Sequence, residues 1–266
     1  MTSPVITLLS DFGLKDPYVA EMKAVILSIC PQARIVDISH GIEKFNVRMG
    51  AFVLASACPY FPKGTIHVAV VDPSVGTKRR ALLVETEDAF FVGPDNGLLM
   101  LAAQKQGIRN VYSITNKRLI LPNVSRTFHG RDVFAPAAPH LARGCNPSDF
   151  GPAVIDYVIP KFAKPHSKRG EISGEVLHID DFGNIVTNIS KQDLKKAGVT
   201  EGSKLKAKLG EETVGLKFCY AYGETTAITA LMLIGSHDFI EIAVNQGNAS
   251  KRFKIKVGDS VTILLS

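Results

Sequence analysis

In roughly the first 160 residues, short apolar runs of strand length alternate with stretches whose apolar residues recur every three or four positions. Val5–Leu9 (VITLL) reads as a strand that runs straight into the polar turn Ser10-Asp11. A helix follows, capped by Asp16 with Pro17 in its first position. Val19, Met22, Ile26 and Ile29 form its inward stripe, and Pro31 ends it. Further strands are expected at Arg34–Ile38, Thr65–Val71, Ala81–Glu85, Ala89–Val92 and about Val111–Ile114, with helices at about Asn46–Cys58 and Leu98–Gln106. This alternation predicts a largely parallel sheet covered by helices on both faces, an α/β sandwich with right-handed crossovers. The order of its strands does not follow from the pattern.

Between about Tyr157 and Gly174 the periodicity fades, and Lys161–Gly170 (KFAKPHSKRG) is basic and contains a chain breaker. Beyond this linker the pattern changes to short strands: Gly174–Ile179, Ile185–Ile189, Lys204–Leu209, Thr213–Phe218, Ile240–Val244, Phe253–Val257 and Val261–Leu265. LKAKL and FKIKV alternate cleanly, as a sheet with one buried face requires. One helix is expected there, Lys191–Ala197 after Ser190 as cap. The reading is therefore two domains: an α/β domain over 1–165 and a smaller antiparallel β-barrel over 174–266, whose closure satisfies the strand edges.

Composition narrows the function. With 45% apolar and 21% charged residues, the 266-residue chain can bury a substantial core. No apolar run reaches the about 20 residues needed to cross a bilayer, and no basic stretch precedes the first apolar run as in a secretory signal. A cytoplasmic protein without a membrane partner is the expectation. The formal charge is +6, but the basic runs Lys78-Arg79-Arg80, Lys168-Arg169 and Lys251-Arg252 are short and not interleaved with aromatics. Nucleic-acid binding is therefore not expected. Cys30, Cys58, Cys145 and Cys219 are scattered, and His40, His67 and His178 have no ligand spacing, although Asp37 and His40 are close. No metal site is expected.

Ligands of parallel sheets bind beyond the carboxyl ends of the strands, and three polar clusters fall there. They are Ser10-Asp11-Phe12-Gly13, the run from Asp72 to Arg80, and Thr127-Phe128-His129-Gly130-Arg131-Asp132. Asp11 suits a vicinal diol such as a ribose, because a carboxylate accepts two hydrogen bonds; a turn-forming aspartate fits the same place. Asp16 reads as a helix cap. Asp72 ends a strand, Gly76 allows a backbone position closed to other residues, and Arg79 can return as a fixed cation. The alternative is a tight connection with a local ion pair. In the second domain, Asp180, Phe182 and Asn184 offer a flat apolar face between two polar groups, suited to clamping an aromatic base. The alternative is a tight hairpin around Gly183 with Phe182 as a core anchor. Ser236-His237-Asp238 is a further polar patch before a strand. GxGxxG, Walker, GxSxG and HExxH motifs are absent from the sequence.

At these segments the chain closely resembles the SAM hydroxide adenosyltransferases, relatives of the SAM-dependent fluorinase and chlorinase. The matching stretches are LLSDFGLKDPYVAEMKAVI, VVDPSVGTKRR, GPDNGLL, TFHGRDVFAPAAPHL, HIDDFGNIVTNI and IEIAVNQGN, in order from about Val5 to Asn248. The resemblance implies an α/β domain followed by a small β-barrel, and homotrimers with nucleoside sites between subunits. It implies hydrolysis of S-adenosyl-L-methionine (SAM) at ribose C5′ by an oriented water, giving adenosine and L-methionine without a cofactor. The alternatives are a halide-dependent adenosyltransferase and a SAM- or adenosine-binding module without turnover.

By the same resemblance the water-handling set falls on Asp72, Arg79 and His129. Asp72 would orient the water, Arg79 would fix that carboxylate, and His129 would help accept the proton. Asp11 is the ribose aspartate, Asp16 and Phe45 line the pocket, and Val75 and Phe128 lie near the reacting carbon. Asp180 holds the methionine end, Phe182 and Asn184 stack on and bond to adenine, and Ser236 meets the methionine carboxylate. Base-edge contacts fall near Val244 to Gln246, and here the chain departs from the halogenases, which carry arginine at the positions of His237 and Val244. Halogenases carry Tyr at the position of Asp72 and Ser at that of Gly130, which sets this sequence with the hydrolases.

Overall fold

The computed structural model describes residues 3–168 and 170–265, so Arg169 of the basic run Lys168-Arg169 lies outside the described residues. The chain forms two compact units divided between Pro160 and Lys161. In the first unit, β1 (Val5–Ser10), β2 (Arg34–Ser39), β3 (Thr65–Val70), β4 (Ala81–Thr86), β5 (Ala89–Pro94) and β6 (Ile108–Ser113) form one sheet in the order β2-β1-β3-β5-β4-β6. Neighbours β2, β1, β3 and β5 pair in parallel, while β4 is antiparallel to both β5 and β6. The domain is thus a mixed α/β layer structure in which only β4 is reversed.

Helices α1 (Tyr18–Ile29) and α4 (Ala135–Ala142) cover one face, where Met22, Ile26, Ala137 and Ala138 pack against Ile6, Leu8, Val68 and Val92. Helices α2 (Val47–Ala57) and α3 (Met100–Lys105) pack together on the other. Gly50 allows close packing there: a Cβ would stand 2.8 Å from the Leu98 side chain and 3.1 Å from that of Val71. The expected cap at Asp16 is not formed. Helix α1 begins after Pro17, which occupies the cap position, and no side chain bonds its first turn. A proline there removes one orphan donor outright. Asn46 does cap α2, accepting from the Met49 N–H at 2.9 Å.

The second unit is a closed seven-strand barrel. Its strands are β8 (Glu171–Ile179), β9 (Ile185–Ser190), β10 (Lys204–Leu209), β11 (Glu212–Phe218), β12 (Ala230–Ile234), β13 (Phe239–Val244) and β14 (Ser260–Leu264), with β7 (His166–Lys168) added outside β8. Pairing of β14 with β8 closes the ring, and every pairing in it is antiparallel except a short parallel one between β11 and β12. The interior is apolar, with Ile172, Val176, Ile185, Phe218, Met232, Ile242 and Val261 at its core. Helix α5 (Lys191–Lys196) starts with a reciprocal Ser190–Asp193 capping box.

One expected strand is replaced. Phe253–Val257 instead spans the end of a short helix α6 (Ala249–Phe253) and a turn. The Asn248 side chain caps that helix, and Lys254 adopts a left-handed conformation (φ 54°) that ends it. Phe253 and Ile255 are still buried while the lysines face outward. The alternation therefore reported burial correctly and the backbone wrongly.

Candidate active site

In the first unit, Asp72, Arg79 and His129 come together. Asp72 follows β3 by two residues, and a turn through Gly76 returns Arg79 to it. Gly76 has φ +78°, and a Cβ on it would stand 2.4 Å from the Arg126 carbonyl oxygen, so the turn packs directly against the segment leading to His129. Arg79 Nε donates to Asp72 Oδ1 (3.1 Å) and Oδ2 (2.9 Å), and Nη2 donates to Oδ2 at 2.5 Å. Both side chains are buried, exposed by only 5% and 7%. Ser74 Oγ donates to Asp72 Oδ1 at 3.2 Å, and the Arg79 guanidinium lies 5.3 Å from the centre of the Phe134 ring.

The same Arg79 Nη2 lies 2.8 Å from His129 Nδ1. A guanidinium only donates, so Nδ1 accepts and the neutral ring carries its proton on Nε2. Burial first, and then the Arg79 charge, hold the His129 pKa below the usual histidine value, against the pull of Asp72 and Asp132. The ring therefore has no free lone pair for a proton. Its Nδ1 is occupied by the same Arg79 Nη2 that donates to Asp72 Oδ2, so Arg79 joins the two side chains.

His129 hydrogen-bonds the Ser125 backbone, and Ser125 is in turn held by Asp132, a fully buried carboxylate on a π turn spanning Gly130–Phe134. Asp132 accepts from the Ser125 N–H (2.7 Å) and from Arg131 Nε (2.7 Å), and Arg131 reaches Glu21 on α1. Beside it, the Phe12, Tyr18 and Phe128 rings meet edge-on or tilted, with centroids 5.1–5.7 Å apart. A Cβ on Gly130 would stand 3.1 Å from the Phe128 ring and 3.3 Å from that of Phe12, so this cluster leaves little room for a larger residue.

Asp11, at the end of β1, is buried and its Oδ2 accepts the Phe45 N–H at 2.8 Å, while Oδ1 has no partner among the described residues. Phe45 is 68% exposed and held at φ +64°. Asp16 is exposed beyond this turn, and Val75 is half-buried in the loop that carries Asp72.

The second unit assembles its own cluster. Asp180 Oδ1 accepts the N–H groups of Phe182 (3.0 Å) and Asn184 (2.8 Å), and Oδ2 accepts from Asn184 Nδ2 at 2.9 Å. The tight turn is real, but Phe182 is no core anchor: its ring is 78% exposed beside a buried Asn184. Gly183 (φ +84°) is pressed against Asn248, where a Cβ would stand 2.1 Å away. Ser236 and His237 are exposed on the turn joining β12 to β13. Val244 points into the barrel core, so it has only backbone to offer, while Gln246 is exposed at φ 56°.

Two residues here escaped the sequence reading. Glu241 is 8% exposed on β13 and accepts a short hydrogen bond from the Tyr222 hydroxyl. Burial raises the Glu241 pKa against the effect of that hydroxyl, and Asp180 adds to the rise. A lone acid within the apolar strand FIEIAV was the available signal.

Comparison with known proteins agrees with this architecture. Residues 6–151 match the SAM hydroxide adenosyltransferase N-terminal domain, and residues 174–262 its C-terminal domain. The chain is 38% identical to the (R)-S-adenosyl-L-methionine hydrolase of Methanocaldococcus jannaschii, covering 98% of this chain and 95% of that one. It is 36% identical to the hydrolase of the same description from Salinispora tropica, with 98% of each covered. It is 29% identical to a fluorinase of Actinoplanes, covering 98% of this chain and 97% of that one. Among solved structures, an uncharacterized conserved protein of Thermotoga maritima superposes with a TM-score of 0.88 at 39% identity, covering 97% of this chain and 99% of that one.

Proposed function

The chain belongs to the SAM hydroxide adenosyltransferase family, and on that premise we infer that it hydrolyses S-adenosyl-L-methionine at the ribose C5′ carbon, releasing adenosine and L-methionine. The observation that carries this reading is the buried Asp72 carboxylate, clamped by Arg79 and backed by a neutral His129. A sulfonium leaves as a neutral thioether, so the sulfur side needs neither a general acid nor a Lewis acid. The carbon side needs a water held in line and made more nucleophilic. Asp72 orients that water and takes its proton as the new C–O bond forms. Arg79 keeps the carboxylate aimed, and His129 keeps Arg79 aimed. No cofactor enters this scheme.

Asp11 grips the ribose diol, with Asp16 and Phe45 beside it, and Val75 and Phe128 border the reacting carbon. On the barrel, Phe182 stacks on adenine and Asn184 bonds to its edge. Asp180, Ser236 and His237 face the methionine end, and the backbone from Val244 to Gln246 meets the base. Exposed aromatic side chains at Phe45 and Phe182 favour completion of each site by another copy, in a homotrimer. Four free cysteines and the absence of a membrane-crossing helix among the described residues favour a cytoplasmic location. The relatives named as hydrolases of the (R) form support the sulfur epimer as a point of selection. A sulfonium centre inverts spontaneously, and the (R) epimer is the expected preferred substrate.

Incubation with each sulfur epimer, with and without chloride, followed by mass analysis of the nucleoside, tests the reading. Adenosine and methionine are expected in both salts, and turnover should fall by about 10²–10⁴ in Asp72→Asn. A chlorinated nucleoside, or adenosine formation unchanged in Asp72→Asn, would overturn it.

A further inference from the structure

Asp11 can grip a diol only if its carboxylate is fixed before the ligand arrives, since a freely rotating side chain loses part of its binding energy to ordering. The groups that fix it converge on one residue outside the candidate site, His40. Its ring is buried at 5% exposure, next to a fully buried Ser10. Ser10 Oγ and His40 Nδ1 are 2.7 Å apart, and the same Oγ accepts the Phe12 N–H at 3.2 Å. His40 Nε2 lies 3.2 Å from Asp37 Oδ1, outside hydrogen-bond geometry but within ion-pair range. Asp37 in turn pairs with Lys23 on α1 at 2.6 Å. With a carboxylate facing Nε2, the neutral ring keeps its proton there, and Nδ1 accepts the Ser10 hydroxyl.

The His40 backbone grips the other side of the same turn, its carbonyl accepting the Gly13 N–H at 2.8 Å. Ser10 and Gly13 flank Asp11 in sequence, so His40 holds the chain on both sides of the carboxylate. The loop that begins at His40 then delivers two contacts to Asp11 itself: Lys44 Nζ donates to its carbonyl oxygen, and the Phe45 N–H donates to Oδ2. Phe45 is held at φ +64°, a strained conformation for a non-glycine residue that persists only under strong local constraint.

We propose that His40 is a positioning residue for the ribose-gripping carboxylate of Asp11, acting through Ser10 and the loop to Phe45. The proposal rests on Asp11 as the ribose ligand, as set out above. It predicts a selective defect: loss of the His40 ring should weaken binding of a 2′,3′-diol and leave ligands without one unaffected.

Calorimetric titration of the full chain with adenosine and with 2′,3′-dideoxyadenosine reads this directly. His40→Ala should lower adenosine affinity about tenfold, the scale of a hydrogen bond to a charged group, with dideoxyadenosine affinity unchanged. His40→Asn, whose amide oxygen occupies the place of Nδ1, should restore most of the loss. Ser10→Ala provides the same break with less change in volume, should His40→Ala fail to fold. Asp11→Ala sorts the outcomes. If Asp11→Ala removes the preference for the diol while His40→Ala and Ser10→Ala keep it, the positioning role is overturned and the ribose reading stands. If Asp11→Ala also keeps the preference, the ribose reading fails and takes this proposal with it. An equal loss for both nucleosides in His40→Ala marks a general structural role and overturns the proposal as well.

Discussion

At the scale of single residues, the histidines show how one side-chain type takes different parts. His129 is tied to Arg79, and His40 to Ser10. His67 is sealed in the first unit: fully buried, bonded through Nδ1 to Thr7 Oγ1 at 2.7 Å and stacked on Phe91 at 5.0 Å. Its Nε2 has no hydrogen-bond partner among the described residues. Burial pushes the His67 pKa down from 6.5 to about 4. Because the folded value is the lower one, the unfolded chain takes up a proton first as the pH falls. Stability from the neutral ring is complete above about pH 6.5 and drains away toward pH 4. Between about pH 7 and about pH 5 this should remove about 2 kcal/mol. Urea unfolding of the wild type and of His67→Phe at both values checks it. The variant should lose less stability on acidification, and equal losses would show that His67 does not titrate in this way.

At the scale of elements, the strands that position Asp11 and Asp72 were legible because apolar runs ending in an aspartate leave little freedom in their reading. Their chemistry was less legible. The hold of Asp132 on Ser125, whose backbone His129 bonds, and the clamp on Asp180 join atoms whose partners only the folded backbone brings near. In the barrel, β12 (ALMLI) was missed because an unbroken apolar run lacks the period-two signal, and α6 because two buried positions two residues apart also fit a strand. Gly76 was singled out for its freedom, and the structure adds the contact that demands it. The Gly76→Ala change would place a methyl 2.4 Å from the Arg126 carbonyl on a left-handed residue. The loop bearing Asp72 and Arg79 would then part from the segment bearing His129. A loss of about 2–4 kcal/mol in stability is expected from strain at a special backbone position, together with a fall in kcat larger than any change in KM. Thermal denaturation and steady-state kinetics on one preparation separate the two effects, and unaltered kcat would deny that this turn registers the reacting groups.

At the scale of the whole molecule, the two units carry different groups. The first holds the Arg79-clamped Asp72 carboxylate and the buried Asp11; the second holds the exposed Phe182 ring beside the fixed Asn184 amide. If each working site draws its first-unit half from one copy and its barrel half from another, defects in the two halves should complement. Consider Asp72→Asn chains mixed with chains carrying both Phe182→Ala and Asn184→Ala, each nearly inactive alone at low substrate. In a randomly mixed symmetric trimer, a site is intact when its first unit comes from the second variant and its barrel from the first. Equal mixing makes that true of about one site in four. Roughly a quarter of wild-type activity should therefore return after the variants are unfolded and refolded together, and none when they are refolded apart and then combined without exchange. Sedimentation of the wild type fixes the number of copies. A trimer that shows no regain on co-refolding would place both halves of each site in a single chain, and a monomer would remove the shared site altogether.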